Sequence, residues 1–270
     1  MAQGNYVFVT NFSKNSNIQT NLIAQFPTGL WVATNSLETP FDIVANSSGE
    51  NFYAASTPLS VALFVPAVTN VYTLMNAYAP GSGTVATMEF KGDGGADQKF
   101  TLQGGVNIRD FYQGQYVNSI NNSTTQNAYE IFDVQDAGGT GNVNTGLTGD
   151  YVVDEQIFAL NSAFQTQNLT NIILSGNNNG TPIILGITAQ LVAPLISRVT
   201  LTPGSLTIQA GGGISNATYL TLTSTNLALS LSQWTPVATN VLAADGNFSI
   251  TITNGINPAI AKQFFTLETE

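Results

Sequence analysis

Residues Thr84–Phe111 read TVATMEFKGDGGADQKFTLQGGVNIRDF. Val85, Thr87 and Glu89 alternate with Ala86, Met88 and Phe90, the period-2 pattern of a half-buried strand. Gly92-Asp93-Gly94-Gly95 breaks the pattern where a hairpin needs residues that tolerate positive φ. Phe100-Thr101-Leu102 resumes the strand, Gly104-Gly105 turns it, and Val106–Phe111 makes a third approach. Arg109 and Asp110 stand out there, because the 270 residues hold only six Lys+Arg. A charged pair between Ile108 and Phe111 is either an ordered hydrogen-bonding post or a ligand contact.

The same pattern continues on both sides. Upstream, strands are expected at Tyr6–Val9, Leu22–Phe26, Trp31–Ala33, Phe41–Val44, Leu59–Val65 and Val71–Tyr78. Leu59–Val65 reads as a buried strand ending at Pro66. Downstream, strands are expected at Glu130–Val134, Tyr151–Leu160, Leu169–Leu174 and Ile183–Val192. Asp136–Asp150 is a Gly/Asn/Thr-rich loop, and Asn177-Asn178-Asn179-Gly180 is a turn. No amphipathic helix interrupts this series. Short, evenly spaced strands predict an all-β chain of sandwich or jelly-roll type. A boundary is expected at Ala193-Pro194, giving domains 1–192 and 193–270. Five further strands, at Ile196–Leu201, Ser205–Ala210, Tyr219–Ser224, Phe248–Thr253 and Gln263–Leu267, suit a small immunoglobulin- or fibronectin-III-like sandwich.

Composition narrows the function. Hydrophobic residues make up 43% and charged residues 8%, so a real core forms under a surface of Asn, Thr, Ser, Gln and Gly. A net charge of −10 leaves no basic stripe for nucleic acid or for anionic membrane surfaces. The longest apolar stretch, Ile183–Ile196, is broken by Gly186, Gln190 and Pro194, too short for a membrane span. With no Cys and no His, there is no disulfide framework, no imidazole zinc site and no Ser-His-Asp chemistry. The start, Met1-Ala2-Gln3, has no basic or apolar leader. It reads as a secreted, extracellular chain whose signal peptide has been removed.

Carboxylates and aromatics supply the candidate sites. Asp93 and Asp97 in GDGGAD are either oxygen ligands for Ca²⁺ or parts of an Asp-Gly hairpin turn. Asp133, Asp136, Asp150, Asp154 and Glu155 bracket one Gly-rich loop, as a calcium site or as solvated charges. Glycoside hydrolysis needs two facing acids, and no pair sits in a recognisable motif, so a non-enzyme is expected. Sugars pack their C–H faces on aromatic rings while Asp, Asn, Gln and Arg bind hydroxyls. Trp31, Tyr53, Tyr78, Tyr112 and Tyr116 fall at strand ends or in loops. Arg109, Asp110, Tyr112 and Tyr116, around Gln113-Gly114-Gln115, form the expected ligand site, with Trp31 as a further contact.

Two resemblances add to this. The strand, DG turn, strand and G-x-N-I-x-D-aromatic series resembles secreted bacterial β-sandwich modules of the galactose-binding-like, carbohydrate-binding class. PFDI at Pro40–Ile43 and VYTLMNAY at Val71–Tyr78 sit where that pattern places them, and the resemblance covers Phe8–Leu191. It implies a jelly roll that binds a glycan, with structural calcium common in the class. Further on, Ser224-Thr225-Asn226-Leu227, Trp234-Thr235-Pro236-Val237, Asp245-Gly246-Asn247-Phe248 and Gln263-Phe264-Phe265-Thr266-Leu267 resemble, in order, a C-terminal module of secreted bacterial proteins. Thr266 stands where that module usually has Arg. This resemblance implies a structural or anchoring accessory without activity.

The expectation is therefore a secreted protein that binds a glycan or polysaccharide without catalysis and requires no cofactor. Calcium in a structural role stays open. The rival expectation is a self-assembling subunit of a surface layer or filament, since low charge and open sheet edges suit lateral association.

Overall fold

The computed structural model describes residues 2–3, 5–10, 18–19, 28–45, 52–55, 57–112, 116–135, 148–244, 246–253, 256, 259–260 and 262–269. The expected strand at Leu22–Phe26 and residues 136–147 of the expected loop lie outside these residues.

The described chain is all-β. In order, the strands are β1 (Ala2–Gln3), β2 (Tyr6–Phe8), β3 (Ile18–Gln19), β4 (Gly29–Val32), β5 (Pro40–Ile43), β6 (Phe52–Ala54), β7 (Leu59–Pro66), β8 (Val68–Tyr78), β9 (Gly83–Gly92) and β10 (Asp97–Gly104). They continue as β11 (Thr125–Gln135), β12 (Thr148–Ala159), β13 (Asn168–Gly176), β14 (Thr181–Leu191), β15 (Leu195–Thr202), β16 (Ser205–Gly211), β17 (Thr218–Ser224), β18 (Thr235–Val241), β19 (Phe248–Thr253) and β20 (Phe264–Thr269). Among the described residues the only helical turns are two 3₁₀ pieces, Ser162–Thr166 and Leu231–Gln233. The chain falls into two compact units, Val7–Gln190 and Leu191–Glu270, the second joined by Met1–Tyr6. Asn5 makes that join: its carbonyl accepts from Leu191 N–H at 2.7 Å and its side chain pairs with Thr269 Oγ1 at 3.2 Å.

In the larger unit, one sheet runs β2-β14-β8-β12-β11, and a second runs β10-β9-β13-β7. Their ladders are antiparallel. The two sheets meet through aromatic rings: Phe158 of β12 lies 5.4 Å from Phe90 of β9 and 5.2 Å from Phe100 of β10. The β4–β5 hairpin covers the other face of the first sheet. A Cβ on Gly186 of β14 would stand 3.0 Å from Ile43 and 3.1 Å from Phe41, so glycine lets that hairpin dock. This double cover explains why β8 and β14 are buried along nearly their whole lengths. A strand buried on both faces loses its polar alternation.

The reading of one strand changes. Leu59–Val65 is the edge of the second sheet, not a fully buried strand: Ser60, Ala62 and Phe64 face outward. Pro66 suits that edge, where a missing N–H costs no ladder bond. The third approach, Val106–Phe111, forms no ladder. It contributes isolated bridges, Gly104 with Ile108 and Ala77 with Asp110.

The smaller unit has two three-stranded sheets, β15-β16-β19 and β18-β17-β20. Its core is Leu206, Ile208, Ile250 and Ile252, with Val237, Phe248 and Phe265 packed against it. Trp234 is buried beside its own 3₁₀ turn, its Nε1–H donating to Leu229 O at 3.1 Å. The sixth strand, β18, is not among the five expected. It is an edge strand, and the β17 register slips opposite the proline.

Candidate functional site

Arg109 does not pair with Asp110. It reaches Asp154 on β12, with Nε donating to Oδ2 at 2.8 Å and Nη2 to Oδ1 at 2.7 Å. This is the bidentate fork in which planar guanidinium fits carboxylate. Asn76 on β8 completes the post: its Nδ2 donates to Asp154 Oδ2, and its Oδ1 accepts from Asp154 N–H, both at 2.9 Å. Arg109 Nη1 also reaches the Asn118 carbonyl at 3.4 Å. Asp154 is fully buried. Burial pushes its carboxyl up, while Arg109 and Asn76 pull it down.

Asp110 turns the other way. Its Oδ1 accepts from Tyr112 N–H at 3.1 Å, an Asx turn that closes the segment. The carboxyl is buried, and desolvation raises its pKa to about 6, against hydrogen bonds from the N–H groups of Tyr112, Ala79 and Phe111. Tyr112 is buried too, edge-on to Tyr151 at 5.4 Å between ring centres. Tyr116 is half exposed, at 50%. Gln113–Gln115 lie outside the described residues. Of the four clustered residues among the five expected to bind ligand, three are therefore inside the fold, and Tyr116 is the exposed one.

Their role is visible in what they support. Ala77 N–H donates to Arg109 O at 2.9 Å, and Phe111 N–H to Ala77 O at 3.0 Å. Val117 N–H reaches Pro80 O at 3.3 Å. The Phe111 ring stacks on Tyr78, with centres 6.2 Å apart. The segment thus backs residues 77–80, and in front of those residues lies a cavity of about 490 Å³. Its lining residues with aromatic or polar side chains are Tyr78, Thr57, Asn178 and Thr181, the Thr57 hydroxyl lying 3.5 Å from the Tyr53 hydroxyl; Ala55, Pro58, Ala79, Gly176 and Gly180 complete the lining. Tyr78 is 37% exposed.

Two turns hold the cavity in shape. Asn179 Oδ1 accepts from Gly81 N–H at 2.9 Å, and its Nδ2 donates to Gly81 O and Ser82 O, each at 3.2 Å. Gly180 has φ +85, and a Cβ there would meet Tyr78 O and Pro80 Cα at 2.8 Å. Ala79 and Asn178 also sit in the left-handed region, at φ 53 and 57. Three such residues around one cavity mark a backbone held by its surroundings. Sequence reading noted Tyr78 as a strand-end ring and Asn177–Gly180 as a turn. It missed that these two stretches clasp each other, because they are about 100 positions apart.

The remaining candidates are placed as follows. Trp31 on β4 packs inward, edge-on to Tyr129 at 6.0 Å and tilted on Phe41 at 6.4 Å. Asp93 caps Asn168, accepting from its N–H at 3.0 Å and its Nδ2 at 2.7 Å. Asp97 pairs with Lys91 at 3.3 Å. The two carboxylates serve separate partners and do not converge. Asp154 and Glu155 alternate on β12. Glu155 faces the β4–β5 hairpin, where Asn35 Nδ2 donates to its Oε2 at 2.7 Å. Burial raises its pKa first of all, although Thr39 and Asn35 oppose that. Thr39 approaches the carboxyl, yet Glu155 Oε1 and Thr39 Oγ1 make no well-formed hydrogen bond. The side chains of Asp133, Asp136 and Asp150 lie outside the described residues. Among the described residues no group of three or more acidic side chains is placed to hold a metal. No described helix is long and apolar enough to cross a membrane.

The chain matches no protein-family model and no curated protein in sequence. Among solved structures it is similar to a β-1,2-glucanase from Parabacteroides distasonis, at 10% identity and a TM-score of 0.27, covering 100% of this chain and 37% of that one.

Proposed function

We propose that this chain binds a glycan without catalysis, through the cavity in front of Tyr78. On this reading the larger unit is a galactose-binding-like sandwich and the smaller an immunoglobulin-like accessory, both of an extracellular protein. The observation that carries it is the lining: one tyrosine, one asparagine and two threonines among small residues, around about 490 Å³. A ring with convergent uncharged hydrogen-bonding groups is what a sugar's C–H face and hydroxyls require. No carboxylate is among the lining residues, whereas glycoside hydrolysis needs two. Asp110, in the segment behind the cavity, and Asp154, which holds that segment through Arg109, are committed inside the fold.

A glycan array on the purified chain, followed by calorimetry on the best hit, tests this. Tyr78→Ala is expected to weaken binding by about tenfold or more. Asn178→Gly removes the amide yet accepts the left-handed backbone, and is expected to weaken binding with little change in Tm. A chain that retains no glycan, or variants that bind as wild type does, overturns the proposal.

A further inference from the structure

The smaller unit has a row of apolar side chains on the inner face of a sheet that, among the described residues, no strand of the facing sheet covers. Cross-strand neighbours share a face. In the β15–β16 ladder, Ile196 lies opposite Ala210, Val199 opposite Ile208 and Leu201 opposite Leu206. The three β16 residues are buried, and Leu206 and Ile208 belong to the core. Their β15 neighbours therefore also face inward, yet Ile196, Val199 and Leu201 are 39%, 58% and 65% exposed. Interior positions of a sandwich are normally closed by the facing sheet.

The facing sheet stops short. β18 and β19 approach each other on one side of the sandwich. β15 and β20 are the edge strands of the other side. Phe265 of β20 packs on the core over β16 and β19, so β20 covers β16 and leaves β15 overhanging. Among the described residues, β15 therefore lies beyond the edge of the facing sheet, on the side where β20 ends it.

We infer that a second copy of this chain covers this row, with β15 of each copy laid against β20 of the other. One two-fold operation then covers both apolar rows, as an isologous interface must. The two strands also match in charge. Arg198 is the one charged residue of β15 and faces outward, opposite exposed Gln209. Glu268 is the one charged residue of β20 and alternates with inward Phe265. Pairing β15 with β20 puts opposite charges on the same outer face, whereas pairing β15 with β15 brings two arginines together. β15 also lacks the edge lysine or proline that blocks such addition. The inference does not depend on glycan binding.

Analytical ultracentrifugation of the full chain tests it. The wild type is expected to be a dimer. Val199→Glu and Leu201→Glu are expected to give a monomer with unchanged far-UV circular dichroism, because both residues are exposed in one copy alone. Arg198→Glu and Glu268→Arg are each expected to raise the dimer Kd by about tenfold, and the double variant to restore it. Should the glutamate variants misfold, the charge exchange still decides. A wild type that stays monomeric at its highest soluble concentration overturns the inference. So does a dimer indifferent to Val199→Glu, or a charge exchange that fails to restore association.

Discussion

Asp110 holds its carboxyl away from water, and burial lifts its folded pKa to about 6 from an ordinary value of 3.8. Because the folded value is raised, its stability contribution is full below pH 3.8 and is lost as the pH rises through 6. The size is on the order of 3 kcal/mol between the two limits. Asp110→Asn keeps the acceptor for Tyr112 N–H and removes the titration. Urea midpoints at about pH 4 and about pH 7 are therefore expected to diverge less for the variant than for wild type. An equal pH dependence in both proteins would show that Asp110 is not the titrating group. Sequence reading offered two roles for Arg109-Asp110, post or ligand contact. The residues alone left that open, because the deciding partner, Asp154, is 45 positions away.

The turns carry the element-scale argument. Gly92–Gly95, Pro80–Gly83 and Asn177–Gly180 are legible from residue type, since glycine and asparagine tolerate the left-handed region. What they do differs. Gly95 has φ +88 with nothing within 4 Å of its absent Cβ, whereas Gly180 has φ +85 and backbone atoms at 2.8 Å. Gly95→Ala is expected to cost only the conformational strain, about 1 kcal/mol. Gly180→Ala adds a collision with the Tyr78–Pro80 wall, and is expected to cost at least twice that and to lower Tm accordingly. Equal Tm losses would mean that the two turns do not dock as described. Strands were legible in the same partial way. Alternation located β9, β10 and β13. It misread β7 as buried and passed over β18, because edge position depends on sheet order and not on the strand's own residues.

At the scale of the whole molecule, each unit has its own core and its own tryptophan: Trp31 in Val7–Gln190, Trp234 in the other. Trp31→Phe and Trp234→Phe leave one fluorescent reporter each. Their guanidinium unfolding curves are expected to have different midpoints, as two cooperative units do. Coincident curves from both variants would reject two autonomous cores. The all-β class, the turn positions and the lack of His and Cys chemistry follow from local residue type and period. Which carboxylate Arg109 meets, that its segment backs a cavity, and that the inner face of β15 is exposed were settled by packing across the chain. Those outcomes depend on contacts between residues far apart in the chain. With charges on 8% of positions, few side chains announce their partners in advance.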